Sequence, residues 1–407
     1  MSTTVTQEPL LRLRGFRNLF LAGAVSQLGS QISYVALPLL AVTALGAGAG
    51  EVGLLAALGT LTVLLLGLPA GAWVDRVRRR PVMIATDLLR AGALLSVPVA
   101  WWGGWLSMGH LYLVAVLVGA GTLLFDVASY SIVPALVGRD RLTAANTLLV
   151  GTGAGMDVAG RSTAGVLVQV AGAPVAILLD ALSYLWSAAW LRAVPEPRTA
   201  ARESDPMGRQ IAEGVRFLFG NPILVTALLQ GTMVNLAFPL CSVLLPVVLV
   251  QQLGHPEWVL GAYLAAGGLG VLAGSSSAHA IGRRLGTGRA AWLASLVTTP
   301  AAFVVPLLSM GGPWVWASAV AWLVLTFRTG LNNVLLISLR QRVTPDAMLG
   351  RMTATMRLLL TGALGAGGLL AAAVGELWGT GPALALGAAV MALSWLPYVR
   401  SPLRHQP

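Results

Sequence analysis

The sequence predicts an all-α integral membrane protein with twelve transmembrane helices in two six-helix, pseudo-symmetric bundles. Three observations lead there. Of 407 residues, 56% are hydrophobic and only 10% are charged, against roughly a quarter charged in an average soluble chain. Apolar stretches of about 20 residues, long enough to cross a bilayer as a helix, recur along nearly the whole length. Short patterns of the first half recur in the second at a nearly constant offset.

The apolar stretches place spans at 17–43, 51–74, 82–102, 109–134, 145–171, 174–193, 222–250, 258–281, 289–310, 313–339, 352–375 and 381–400. Residues Met1 to Leu11 lack the basic stretch, short apolar core and small-residue cleavage site of a removable signal. The first apolar segment is therefore expected to stay as the first span.

The formal net charge is +11, and all 26 basic residues are arginine. They cluster at alternate helix ends. One set of connections carries Arg12, Arg14 and Arg17, then Arg76 and Arg78 to Arg80, then Arg139 and Arg141, and so on to Arg400 and Arg404. The opposite connections (44–50, 103–108, 172–173, 251–257, 311–312, 376–380) hold no arginine. Basic residues stay on the cytoplasmic side, so both termini are expected there, which requires an even number of spans. The pattern excludes a nucleic-acid patch. Trp101, Trp102, Trp105, Trp258, Trp314 and Trp378 lie near the arginine-free side, as interfacial anchors.

The one long connection, 194–221, opens with Pro195-Glu196-Pro197 and runs polar to Asp205. Residues 207–219 read as a short amphipathic helix, with Ile211, Val215 and Leu218 on one side and Arg209, Glu213 and Arg216 toward water. This gives a first bundle at 1–193, a cytoplasmic linker at 194–221 and a second bundle at 222–407. The repeats support the division. Gln27 in span 1 matches Gln230 in span 7, and Gly67-xxx-Gly71 matches Gly270-xxx-Gly274, both 203 residues on. Val137-xx-Asp140 matches Val343-xx-Asp346, 206 residues on. Two repeats in the same orientation are one known transporter design.

Gly71-Ala72-Trp73-Val74-Asp75-Arg76-Val77-Arg78-Arg79-Arg80-Pro81, between spans 2 and 3, closely resembles the GxxxD-R/K-xx-R/K-R/K loop of the major facilitator superfamily. The stretches around Asp87-Leu88-Leu89-Arg90, Phe125-Asp126, Asp180-Ala181-Leu182-Ser183 and Ser338 to Asp346 look like its drug- and siderophore-exporter branch, which includes macrolide exporters and the enterobactin exporter. The resemblance covers essentially the whole chain. It implies a secondary transporter, with Asp75 as a cytoplasmic gate element meeting the start of span 11 near Arg351 and Arg357, alongside Gly71, Arg76, Arg79 and Arg80. Plain topology anchoring by the arginines is the alternative. The counterpart Ala280-Ile281-Gly282-Arg283-Arg284 keeps the basic residues and lacks the acid.

Charges inside spans cost about 2.5–3.5 kcal/mol each at a helix centre and persist only when paired, hydrated or functional. Asp157 and Arg161 lie mid-span 5 at i and i+4, on one helix face. The family's exporters often carry GPxxGG there; this chain has Gly160-Arg161-Ser162-Thr163-Ala164-Gly165, with arginine in place of proline. The pair is the best candidate for proton coupling or substrate contact, with a static bridge between helices as the alternative. Arg328, deep in span 10, could bind an anionic substrate or partner Asp126 of span 4, which could equally be hydrated or cap nearby backbone. Asp87 with Arg90, and Asp180, fall on outer scaffold helices if the fold holds, and read as structural pairs.

Gln27, Gln31 and Tyr34 fall at i, i+4 and i+7 on span 1; Gln230 and Asn235 lie on span 7, and Asn332 and Asn333 on span 10. In lipid such groups need partners, so they should face inward, to bond other helices or a ligand.

The lone cysteine, Cys241, allows no intrachain disulfide. His110, His255, His279 and His405 are scattered, and no metal-binding spacing occurs. With no lysine there is no GxxxxGK[ST] phosphate loop. No clustered acid–base or nucleophile constellation suggests an enzyme. The expectation is a monomeric transporter without cofactor or metal, driven by the proton gradient, that exports a small amphipathic compound across the cell membrane. An importer or a lysolipid flippase of the same fold is the alternative.

Overall fold

Long runs of Leu, Ala, Val and Gly can cross lipid only as helices, because every backbone amide must find its partner within the segment. The computed structural model describes residues 9–74, 76–138, 141–196, 207–399 and 401–405, and it is helical throughout. The helices are α1 (Arg14–Leu45), α2 (Ala49–Val74), α3 (Arg79–Trp102), α4 (Met108–Val137), α5 (Leu142–Ala171) and α6 (Ala173–Leu191). After them come α7 (Met207–Gly220), α8 (Pro222–Ser242), α9 (Glu257–Leu285), α10 (Thr287–Val297), α11 (Thr299–Val304), α12 (Pro313–Val343), α13 (Asp346–Leu377) and α14 (Thr380–Leu393). Eleven stretches among the described residues are long and apolar enough to cross a membrane. The 30-residue α5, lying between α1 and α9, completes the set of twelve.

Local chemistry marks the ends. Asn221 caps α8 by accepting from Ile223 N and Leu224 N at 2.9 and 3.4 Å, with Pro222 at the first helical position. Gly46, at φ 66°, terminates α1 in the left-handed conformation that a side chain would resist. Two expected spans are not single helices. The seventh continues past α8 into a π-helical turn, Val247–Gln252, after Pro239 and Pro246 remove backbone donors. The ninth breaks into α10, α11 and a 3-10 turn (Val305–Met310), with Pro300 and Pro306 at the starts of the later pieces.

Helices α1–α6 pack among themselves through α1–α6, α3–α6, α3–α4, α2–α4 and α1–α5. The second set packs through α9–α12, α8–α13 and α8–α14. The sets meet along α2–α13 and α5–α9. Glycines make those contacts close: a side-chain carbon on Gly53 would lie 2.6 Å from the Ala372 backbone, and one on Gly165 would lie 2.5 Å from Gly261 Cα. Hydrogen bonds join the sets at the arginine-free ends. Gly50 N donates to Glu376 Oε2 at 3.2 Å, Trp258 N to Gln169 Oε1 at 3.2 Å, and Gln251 Nε2 to Gly46 O at 3.3 Å.

The buried apolar core follows the same division. In the arginine-free half one cluster crosses between the sets, including Leu39, Val52, Leu245 and Leu260. Toward the arginine-rich side, the described residues form separate clusters, one around Phe16, Met83 and Ile132 and the other around Leu224, Leu335 and Met356. The amphipathic helix read at 207–219 is α7; it packs on α13, where Glu213 forms an ion pair with Arg351.

Candidate functional site

Between the sets lies a cavity of about 440 Å³, within the roughly 300–1,000 Å³ range of ligand pockets. Its wall includes Gln31 and Tyr34 of α1, Thr60 of α2, Thr122 of α4, Arg161 of α5 and Asp180 and Tyr184 of α6. Across from them stand Phe238 and Ser242 of α8, Leu264 of α9 and Thr361 of α13. The lining is mostly apolar, with a few convergent polar groups. A hollow of about 720 Å³ beside α7, formed by Glu213, Arg216, Phe217, Asn221 and Met348 among others, is a wide surface depression away from these groups.

The charged pair of α5 meets the polar face of α1. Gln27 Nε2 and Gln31 Nε2 both donate to Asp157 Oδ1 at 2.7 Å. Arg161 Nε donates to Gln31 Oε1 at 2.7 Å, and its guanidinium carbon lies 4.9 Å from the Tyr34 ring centre. Gly160 makes this approach possible, since a side-chain carbon there would sit 2.6 Å from Gln31 Cβ. The expected Asp157–Arg161 pair is thus joined through Gln31 rather than by direct contact: at i and i+4 the two side chains share a face, and the amide fills the space between them. Gln31, Tyr34 and Arg161 line the cavity; Asp157 and Gln27 lie one turn nearer the arginine-rich side.

A second polar group lies deeper in the first set. Asp87 and Arg90 form a buried ion pair. The Arg90 guanidinium carbon sits 4.1 Å from the Tyr184 ring centre and 4.7 Å from that of Phe125, and its Nη1 reaches Thr122 Oγ1 at 3.4 Å. Tyr184 and Ser30 share a hydrogen bond at 2.7 Å. Asp180, 1% exposed, accepts from Ser183 Oγ at 3.1 Å. Its place in the cavity wall corrects the reading of Asp180 as an outer scaffold group. Ser30 and Ser33 facing Asp180 and Tyr184 across α1 and α6 was the available signal, but serines are frequent in apolar helices and do not stand out.

The Major Facilitator Superfamily pattern matches residues 19–368. The chain belongs to the major facilitator superfamily. It is 31% identical over 304 residues to the multidrug efflux pump Tap of Mycolicibacterium fortuitum, covering 69% of this chain and 71% of that one. In fold it is similar to a bacterial homologue of the iron transporter ferroportin in an inward-facing state, with a TM-score of 0.77, 21% identity and 97% and 99% of the two chains covered. It is also similar to the nucleoside transporter NupG, with a TM-score of 0.71, 12% identity and 95% and 100% covered. As a superfamily member it is a secondary transporter of a small molecule across a membrane, not an enzyme.

Within this major facilitator fold, several expected cavity residues lie elsewhere. Arg328 is fully buried and donates from Nη1 to Met391 O at 3.2 Å and Ser394 Oγ at 3.0 Å. It faces α14, not the cavity and not Asp126, because its position on α12 falls on the side packed against its own set. Asp126 instead lies within the field of Arg90 and, across the sets, of Arg357. Asn332 donates to Ser295 Oγ of α10 at 3.1 Å, and Asn235 to Gly231 O of its own helix at 2.8 Å. Gln230 is buried and Asn333 exposed, and none of these four is among the lining residues. In the expected gate, Gly71 lies in the last turn of α2, Arg76 follows that helix, and Arg79 and Arg80 open α3. Asp75 lies outside the described residues. Arg351, one of the two arginines expected near it, forms an ion pair with Glu213.

Proposed function

We propose that this transporter exports small amphipathic compounds from the cytoplasm, driven by inward proton flow, through alternating access. The observation that carries the reading is the cavity between the helix sets: mostly apolar, closed at the arginine-free ends, with the Gln27–Gln31–Asp157–Arg161 cluster in and beside its wall. Basic residues favour the cytoplasmic side, so both termini are cytoplasmic in this reading and the seal at Gly53, Gly165 and Glu376 faces outward. The relation to an efflux pump points the same way. Bundles 1–193 and 222–407, joined by 194–221, then rock about the cavity, and the loop of Gly71, Asp75, Arg76, Arg79 and Arg80 gates the cytoplasmic side.

Arg161 and Asp157 act as a pair of polar anchors. The cavity presents Arg161 on the Tyr34 ring face, a cation–π contact of about 0.5–2 kcal/mol depending on hydration, and amide groups that can exchange partners with a ligand. The apolar wall, Phe238 and Leu264 included, binds the rest of the compound. Direction is tested by accumulation: cells producing the protein should retain less ethidium and tolerate more of an amphipathic antibiotic than cells producing Asp157→Asn. Greater retention in the producing cells would mean import and sink the export reading.

A further inference from the structure

The first helix set carries more acid than base in its interior. Asp87, Asp126 and Asp180 lie within the field of a single shared guanidinium, Arg90. Arg90 is committed to Asp87 by the ion pair and held between Tyr184 and Phe125. Asp126 has a second cation, Arg357 of α13. Asp180 is left with hydroxyls. Ser183 donates to Oδ1 at 3.1 Å, Ser33 stands beside the carboxyl without completing a bond of good geometry, and Oδ2 is buried with no hydrogen-bond partner. A buried carboxylate with an open oxygen and no cation of its own is costly, and neutralisation by a proton is the usual relief.

We propose that Asp180 is the site where this transporter binds its coupling proton, with Arg90 and Asp87 as positioning partners. The proposal rests on the proton-driven reading above. Asp180 belongs to the cavity wall, next to Ser30, Ser33 and Tyr184, so water in the cavity can deliver and remove the proton. Uptake converts the carboxylate to a neutral acid, and release to water restores it. A neutral Asp180 leaves Arg90 with one competing carboxylate fewer, which ties the proton to the α3–α6 contact.

The surrounding elements supply the remaining groups. On α1, Ser30 and Ser33 face the site, while Tyr34 sits under Arg161. On α3 the facing charges are Asp87 and Arg90. On α5, Asp157 and Arg161 are engaged with Gln27, Gln31 and Tyr34. Tyr184 comes from α6 itself. A proton fits where a metal ion does not. Asp180 Oδ1 and Ser183 Oγ press so close against α1 that even a side-chain carbon on Gly29 would collide with both. No metal-holding group of three or more His, Cys, Asp or Glu occurs among the described residues.

Infrared difference spectroscopy of the purified full-length protein, titrated from mildly acidic to mildly alkaline pH, tests this through the carbonyl stretch of a protonated carboxyl. The proposal expects a titrating band in the wild type that is lost in Asp180→Asn, shifted in Asp180→Glu and kept in Asp157→Asn. Should Asp180→Asn not fold, the shift in Asp180→Glu decides. No such band in the wild type, or a band unchanged in the Asp180 variants, overturns the site. Ethidium transport under an imposed pH gradient separates this from the reading it rests on. Gradient-driven transport retained by Asp180→Asn overturns the site and leaves the reading standing. A titrating Asp180 band in a wild type that moves no ethidium supports the site and counts against the reading.

Discussion

Gln31 bridges Asp157 and Arg161. One end of its amide donates to Asp157 Oδ1 at 2.7 Å and the other accepts from Arg161 Nε at 2.7 Å. A single neutral side chain therefore sets the spacing between Arg161 in the cavity wall and Asp157 one turn beyond it. Hydrogen bonds to charged groups contribute about 1.5–3 kcal/mol each. Gln31→Leu removes both, leaving Asp157 with Gln27 and Arg161 with the Tyr34 ring. Ethidium efflux should fall at least about tenfold, the equivalent of about 1.4 kcal/mol. Gln27→Leu should cost less, because Asp157 keeps Gln31. Equal losses in the two variants would contradict the bridging role.

The arginine-free seal depends on helices in backbone contact. At Gly165 and Gly261 there is no room for a side chain between α5 and α9. Gly165→Val should separate them and shift the protein toward the state open on that side. The natural Cys241 is buried, so in a Cys241→Ser background a cysteine placed at Leu37 reports the change as faster labelling by an impermeant thiol reagent from the arginine-free side. Gly23→Ala is the control: apart from its own stretch of helix, no atom of the described residues lies within 4 Å of the added carbon, and labelling should stay at the background rate.

The Glu213–Arg351 pair holds the linker helix to α13, with side chains 33% and 30% exposed. At that exposure an ion pair is worth about 0–1 kcal/mol. Single reversals, Glu213→Arg or Arg351→Glu, should lower the melting temperature by only a few degrees, and the double reversal should recover most of the loss. A loss of more than about ten degrees in either single variant would show that α7 contributes more to the fold than a surface latch does.

Arg328 serves the second set's interior. Arg328→Leu should leave the apparent affinity for transported compounds, anionic ones included, unchanged, and alter only thermal stability. Arg161→Leu should do the reverse, raising the concentration needed for half-maximal transport. A selective loss of anion transport in Arg328→Leu would return Arg328 to the cavity.

Much of the fold was legible because span length and repeat offset are one-dimensional signals. The Gln27–Gln31–Tyr34 face and the Asp157–Arg161 face were legible for a related reason: i, i+4 and i+7 spacing places residues on one side of a helix whatever surrounds it. Which side of a helix meets the cavity was not. Membrane helices are apolar all round, so periodicity gives no inward direction. Arg328 and Asn332 were therefore expected to face the cavity, although they serve contacts inside their own set, and Asp180 was expected on an outer scaffold although it lines the wall. The π-helical turn after Pro246 and the break at Thr298 depend on proline placement, yet other internal prolines, such as Pro38 and Pro98, leave their helices continuous.

Proton-driven export through the cavity is tested by pH-gradient-driven ethidium transport in everted membrane vesicles. With the interior acidified, ethidium should accumulate inside wild-type vesicles, collapse on addition of a protonophore, and accumulate at least about tenfold less in Gln31→Leu. Accumulation that ignores the protonophore, or that is equal in wild type and Gln31→Leu, would contradict the account.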